Sequence, residues 1–153
     1  MWQFKNVKQY TFKPAITIGS AYAAGDAFGP LLTVPVPSNP AFLLRAQITI
    51  AAPSNYSSAP NFSVYLFDRS LALAADKTPF VFTEESLVSR VSEFTITTAL
   101  ASGRIFGATQ SVPFMACVTP HPSARFFYAR LVVNGAFTAL TDTVVTVSFL
   151  VGA

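Results

Sequence analysis

Chemistry in a chain of this size starts with nucleophiles, bases and metal ligands, and this sequence is short of all three. Its 153 residues include one His and one Cys. A metal cage gathers several His, Cys or carboxylate ligands, whereas His121 stands alone between Pro120 and Pro122 and reads as a loop residue. Cys117 lies in the apolar run from Pro113 to Val118 with no base near it in sequence, the setting of a buried structural thiol rather than a nucleophile. No G-x-S-x-G elbow is present for serine hydrolysis, and Gly103 and Gly107 lack the partner glycines of a phosphate-cradling loop. Two carboxylates can hydrolyse sugars when they flank a bond. Glu84 and Glu85, however, are adjacent, and on a helix they point about 100° apart, so they read as a solvated first turn. Asp68 precedes Arg69 and can pair with it or cap a turn. Asp26, in the small-residue stretch from Ala23 to Gly29, reads as a turn former that accepts backbone N–H groups, with Gly25 and Gly29 beside it. The expectation is a protein that is not an enzyme and has no catalytic residues, metal or cofactor.

The elements that would carry such a surface alternate with a period of two. Ala41 to Ala51 places Phe42, Leu44, Ala46, Ile48 and Ile50 on one face and Arg45, Gln47 and Thr49 on the other. The closing run Thr143 to Val151 does the same with Val145, Val147 and Phe149 opposite Thr146 and Ser148. Such alternation marks half-buried antiparallel strands. Further strands are predicted at Gln9–Ile18, Phe62–Asp68, Val91–Thr98, Ser111–Val118 and Arg125–Val133. The stretch from Phe126 to Val133 is apolar on both faces apart from Arg130, as in a central strand or one covered by a neighbouring subunit. Gly, Pro and Asn punctuate at 25–40, 53–60, 102–107, 120–123 and 134–135, and the 11 prolines leave little room for long helices. Two short helical turns are predicted, Glu84–Val91 capped by Thr83 and Leu71–Asp76 capped by Ser70. The pattern predicts an all-β fold: residues 1–153 as a single antiparallel β-sandwich domain, jelly-roll-like, with long Pro-rich loops.

Charge narrows the partners. Charged residues are 11% of the chain against about 25% in an ordinary domain. A folded monomer of this mass exposes about 7,500 Å², so its charges are sparse, which suits a surface covered by copies of itself or by a larger assembly. The net charge is +3, but the ten basic residues are scattered. Nucleic-acid binding needs a clustered stripe that releases counterions, so no nucleic acid is expected. No apolar run approaches the ~20 residues of a spanning helix, and Met1–Tyr10 has no signal-like apolar core, so no membrane is expected either. Those first ten residues carry Trp2, Phe4, Lys5 and Lys8. They fit a docking arm, with rings for contact area and lysines for steering. They fit equally an edge strand that tucks its aromatic side chains into the sandwich.

Three segments together resemble a known family. Ile16 to Gly29 (ITIGSAYAAGDAFG) is similar to the S-x-Y-x-x-G-D-x-x-G opening of a family of small tailed-bacteriophage structural proteins. Val64 to Asp68 (VYLFD), then Ala75 to Phe80 (ADKTPF) and Thr83-Glu84-Glu85, resembles that family's middle. Phe114–Val118, Ala129–Val133 and Ala139–Leu150 resemble its closing strands. The resemblance implies a non-enzymatic virion protein of the capsid decoration, or cement, type. Such a protein binds the major capsid protein of a phage head as a homotrimer, is made in the host cytoplasm and sits on the outer surface of the capsid. The segment from Arg69 to Ala75 is more apolar than the family's polar loop, which implies a different partner surface. The alternatives are a phage tail, baseplate or fibre adaptor, and a carbohydrate-binding module with Tyr22 and Tyr56 as its aromatic platform.

Overall fold

The computed structural model describes residues 3–38, 40–109 and 125–153. Trp2, Cys117, His121 and the predicted strand Ser111–Val118 lie outside the described residues. In chain order the elements are β1 (Val7–Phe12), β2 (Ala21–Tyr22), β3 (Ala27–Pro35), β4 (Phe42–Ala51), β5 (Phe62–Phe67), α1 (Glu84–Ser89), β6 (Arg90–Ile96), β7 (Thr98–Ala101), β8 (Arg104–Ala108), β9 (Phe126–Val133), β10 (Phe137–Thr138) and β11 (Val144–Gly152). A five-stranded sheet in the order β1-β11-β4-β8-β7 faces a four-stranded sheet in the order β3-β9-β5-β6, and β10 pairs with β2 in a short ribbon.

Apart from β2, β7 and β10, eight strands remain, and their pairing has a simple rule. First pairs with last (β1 with β11), second with seventh (β3 with β9), third with sixth (β4 with β8) and fourth with fifth (β5 with β6). That is a long antiparallel ribbon folded over on itself, the topology of a jelly roll. All of these pairings are antiparallel, so each strand can bury one face and leave the other for a neighbour or for water. The alternating sets meet between the sheets: Ile48, Ile50, Val147 and Phe149 from one side, Val64, Leu66, Phe127 and Leu131 from the other. Phe127 meets Phe149 edge-on across the gap at 5.9 Å. Each such side chain contributes about 1.5–3 kcal/mol on burial.

Several expectations shift by a few residues, for local reasons. The predicted strand Gln9–Ile18 becomes β1, which starts at Val7 and stops ahead of Lys13-Pro14, because proline ends a ladder. The predicted strand Val91–Thr98 is cut at Thr97, where the chain leaves the four-stranded sheet as β6 and enters the five-stranded sheet as β7. The punctuated stretch 102–107 holds the β7–β8 hairpin, whose turn residues Ser102 and Gly103 both have left-handed φ of 51° and 71°, as a type I′ hairpin turn requires. The stretch 25–40 contains β3. Its prolines are tolerated because β3 is an edge strand, paired only with β9, and its register shifts between Phe28 and Leu32. Thr83 caps α1 with a reciprocal capping box to Ser86, but the helix ends at Ser89. The second predicted helical turn, Leu71–Asp76, does not form; that stretch has no regular hydrogen-bonded structure and lies against the outer face of the four-stranded sheet.

That covering loop, residues 68–83, explains the two-faced strand. β9 is central, between β3 and β5, and its outer face is covered by this chain itself at Arg130 and Val132. Arg130 donates to the Ala74 carbonyl at 2.7 Å. Phe80 and Phe82 of the loop pack on Tyr65 of β5 at 5.3 and 4.9 Å. Ala27 exchanges backbone hydrogen bonds with Lys77 and Thr78.

Candidate interaction surfaces

The first described residues run along the chain's own C-terminal strand. Lys5 and Asn6 donate backbone hydrogen bonds to the Ala153 carbonyl at 3.0 and 3.2 Å, and Val7–Phe12 pair with Gly152–Val147. Phe4 packs against Phe42 at 5.9 Å between ring centroids. Lys5 and Lys8 are exposed. Residues 5–12 therefore form an edge of the sandwich, and the aromatic Phe4 is spent on the protein's own packing while the lysines face outward.

Gly25 and Asp26 lie in a turn closed by the Asp26 N–H on the Ala23 carbonyl at 3.1 Å, whereas Gly29, expected in the same turn, lies within β3 where its register shifts. Asp26 is buried, and its carboxylate accepts from the Ala23 N–H at 2.8 Å. Gly25 and Gly29 have φ of 94° and 73°, the left-handed region that glycine enters without penalty. A larger polar centre lies beside this turn and carries no local sequence mark. The Asp76 carboxylate accepts from the Thr17 N–H and Oγ1 at 2.7 Å each, from the Tyr22 hydroxyl at 2.8 Å and from the Gly29 N–H at 2.7 Å. Gly29 also accepts from Arg130 through its carbonyl at 2.5 Å, so one residue joins the buried cation to the carboxylate. The guanidinium is 2% exposed and its Nε has no partner among the described residues. Burial lowers the Arg130 pKa, and the nearby Asp76 charge opposes that shift. Burial, then the hydrogen bond to Asp76, pushes the Tyr22 pKa well above the usual phenol range. The nearest of the carboxylate's hydrogen-bond partners is 47 residues away, which is why spacing could not find this centre.

The proposed aromatic platform does not exist as a surface. Tyr22 is fully buried beside Phe28 and Phe137. Tyr56 is 8% exposed, stacks on Phe137, and its hydroxyl is bonded to Thr143. Both rings belong to the core because their hydroxyls find polar partners there, the usual condition for burying a tyrosine. Asp68 does pair with Arg69, at 3.3 Å on the surface.

What the sheets present outward is mostly uncharged. The register aligns Thr11, Ser148, Gln47 and Ala108 in one row on the outer face of the five-stranded sheet, and Thr146, Thr49, Phe106 and Ala99 in the next. Arg45 and Arg104 are the charged side chains that the strands of this sheet place on that face. Lys5 and Lys13 lie just before and just after β1, and the Lys8 side chain of β1 points to the opposite face. Three of the exposed carboxylates lie away from the β1 edge, Glu84 and Glu85 on α1 and Glu93 on β6, where it pairs with Arg90 at 2.9 Å, and a fourth, Asp142, stands in the turn ahead of β11. Among the described residues no group of three or more His, Cys, Asp or Glu could hold a metal ion, and no helix is long and apolar enough to cross a membrane. No protein-family model matches the sequence, and no curated protein matches it.

Proposed function

We propose that the protein is a virion structural protein that binds and stabilises an icosahedral phage head shell from outside, as a capsid decoration protein acting as a homotrimer. The observation that carries this reading is the outer face of the five-stranded sheet: a broad face of Thr, Ser, Gln and Ala with exposed Val7, Phe106 and Val144, whose in-strand charges are Arg45 and Arg104. Such a face can be covered at little desolvation cost, because few charges must leave water. The jelly-roll topology supports the reading at the level of fold, since this architecture recurs in viral capsid proteins and also in lectins and cupins. Binding to the assembled shell and not to free subunits stabilises the shell by mass action, and a trimer that touches several subunits adds avidity. Electron microscopy of purified virions with a gold-labelled antibody against this protein tests the reading. Label over the head shell is expected. Label confined to the tail would replace it with a tail, baseplate or fibre adaptor, and virions without label would overturn it.

A further inference from the structure

Helix α1 is inside out. An amphipathic surface helix buries its apolar side chains, yet α1 buries Ser86 and Ser89 completely and exposes Leu87 at 53% and Val88 at 73%. The two serines are satisfied locally: Ser86 closes the capping box with Thr83, and Ser89 donates to the Glu85 carbonyl. Burying them therefore leaves no hydroxyl stranded and sets the apolar side chains outward. Val81, just ahead of the helix, is 70% exposed. Glu84 and Glu85 are exposed beside these residues and form no ion pair among the described residues.

The same chain carries a surface of opposite character. At the β1 edge Val7, on the outer face, and Lys8, on the opposite face, are both exposed, with the exposed Lys5 just ahead of the strand, and neither lysine has an ion pair among the described residues. The outer edge of β1 has no strand partner among the described residues, and an open edge is a ready surface for another chain. The two carboxylates beside the exposed Val81, Leu87 and Val88 thus complement in charge the ammonium groups of Lys5 and Lys8 along the β1 edge, where Val7 is also exposed. A two-fold contact of α1 on α1 would set Glu84 and Glu85 against their own copies, and like charges oppose that.

We infer that α1 and Val81 of one copy dock on the β1 edge of a second copy, in a head-to-tail contact. Contacts of that kind close into rings or run on as filaments. The inference rests on the self-association part of the function proposed above, and it is independent of shell binding.

Light scattering coupled to size exclusion tests it on the full chain at about 100 μM, where a micromolar contact is populated. The wild type is expected above the 16.4 kDa monomer mass. Glu84→Lys with Glu85→Lys, and separately Lys5→Glu with Lys8→Glu, should each shift the protein to monomer, and all four changes together should restore the assembly. Circular dichroism checks that each variant is folded. Because lysines in the first turn oppose the helix dipole, Leu87→Ser with Val88→Ser serves as a second route to the same loss without touching charge. An assembly that ignores both charge reversals and the Leu87/Val88 change would overturn the inference while leaving a homo-oligomer standing. Charge reversals that dissociate the assembly but do not rescue each other would overturn the head-to-tail pairing. A wild type that stays monomeric would end both the inference and the oligomeric part of the proposed function.

Discussion

Removing the Asp76 carboxylate would strand the Gly29 N–H, a threonine hydroxyl and a buried tyrosine hydroxyl, would leave the Thr17 N–H only its bond to the Tyr22 hydroxyl, and would leave Arg130 without its neighbouring negative charge. Hydrogen bonds to a charged group are worth about 1.5–3 kcal/mol each but do not simply add. Asp76→Ala should therefore cost about 3 kcal/mol or more in urea unfolding. Asp26→Ala, which loses one turn bond, should cost about 1 kcal/mol; equal losses would show that Asp76 is not the centre of the network. The Tyr22 hydroxyl gives a pH signature. Its folded pKa is raised above the ordinary value of 10.0, so folding favours the protonated phenol. The stability it contributes is complete below about pH 10 and is lost as the pH rises toward the folded pKa. Thermal melts from pH 8 to 11 should show a decline above pH 10 that is shallower in Tyr22→Phe; parallel profiles would defeat this assignment.

Two elements make separate predictions. The capping box of α1 joins Thr83 and Ser86 through two hydrogen bonds of 2.8 and 3.1 Å, and Thr83→Ala should cost about 1 kcal/mol, read as a lower urea midpoint at unchanged slope. Deleting residues 1–8 would remove Phe4 from Phe42 and the backbone hydrogen bonds to Ala153. Fully burying a ring contributes about 1.5–3 kcal/mol, and Phe4 is half-buried, so with the lost backbone bonds the truncated protein should melt a few degrees lower. An unchanged melting temperature would mean that these residues act as a detachable arm after all.

The whole molecule should fold slowly. A jelly roll pairs its first strand with its last, here Val7–Phe12 with Val147–Gly152, and the entropy of closing so long a loop is lost before the contact is gained. Refolding followed by circular dichroism should take milliseconds to seconds. A further phase of about 10–100 s should follow from the 11 prolines of the unfolded chain. Adding a prolyl isomerase should speed that phase alone; refolding complete within microseconds would contradict the topology.

The alternation of residues 45–51 and 144–150 was legible because a strand's two faces are written into neighbouring residues, but the register shift between Leu150 and Val151 puts Leu43 in the core where Phe42 and Leu44 were expected. The cap at Thr83 and the turn at Asp26 were legible for the same reason, since their partners lie three residues away. Local patterns could not reveal that residues 68–83 would cover β9, because Arg130 reaches Ala74 from 56 residues away and Asp76 gathers Thr17, Tyr22 and Gly29 from 47 to 59. Composition announced sparse charge, but only the fold set Lys5 and Lys8 along the β1 edge and Glu84 and Glu85 on α1. Nor does a hydrophobic pattern say which face of a six-residue helix turns inward. So short a helix has too little propensity to set its own orientation, and the fit of Ser86 and Ser89 beneath it decided which side chains were left for a partner.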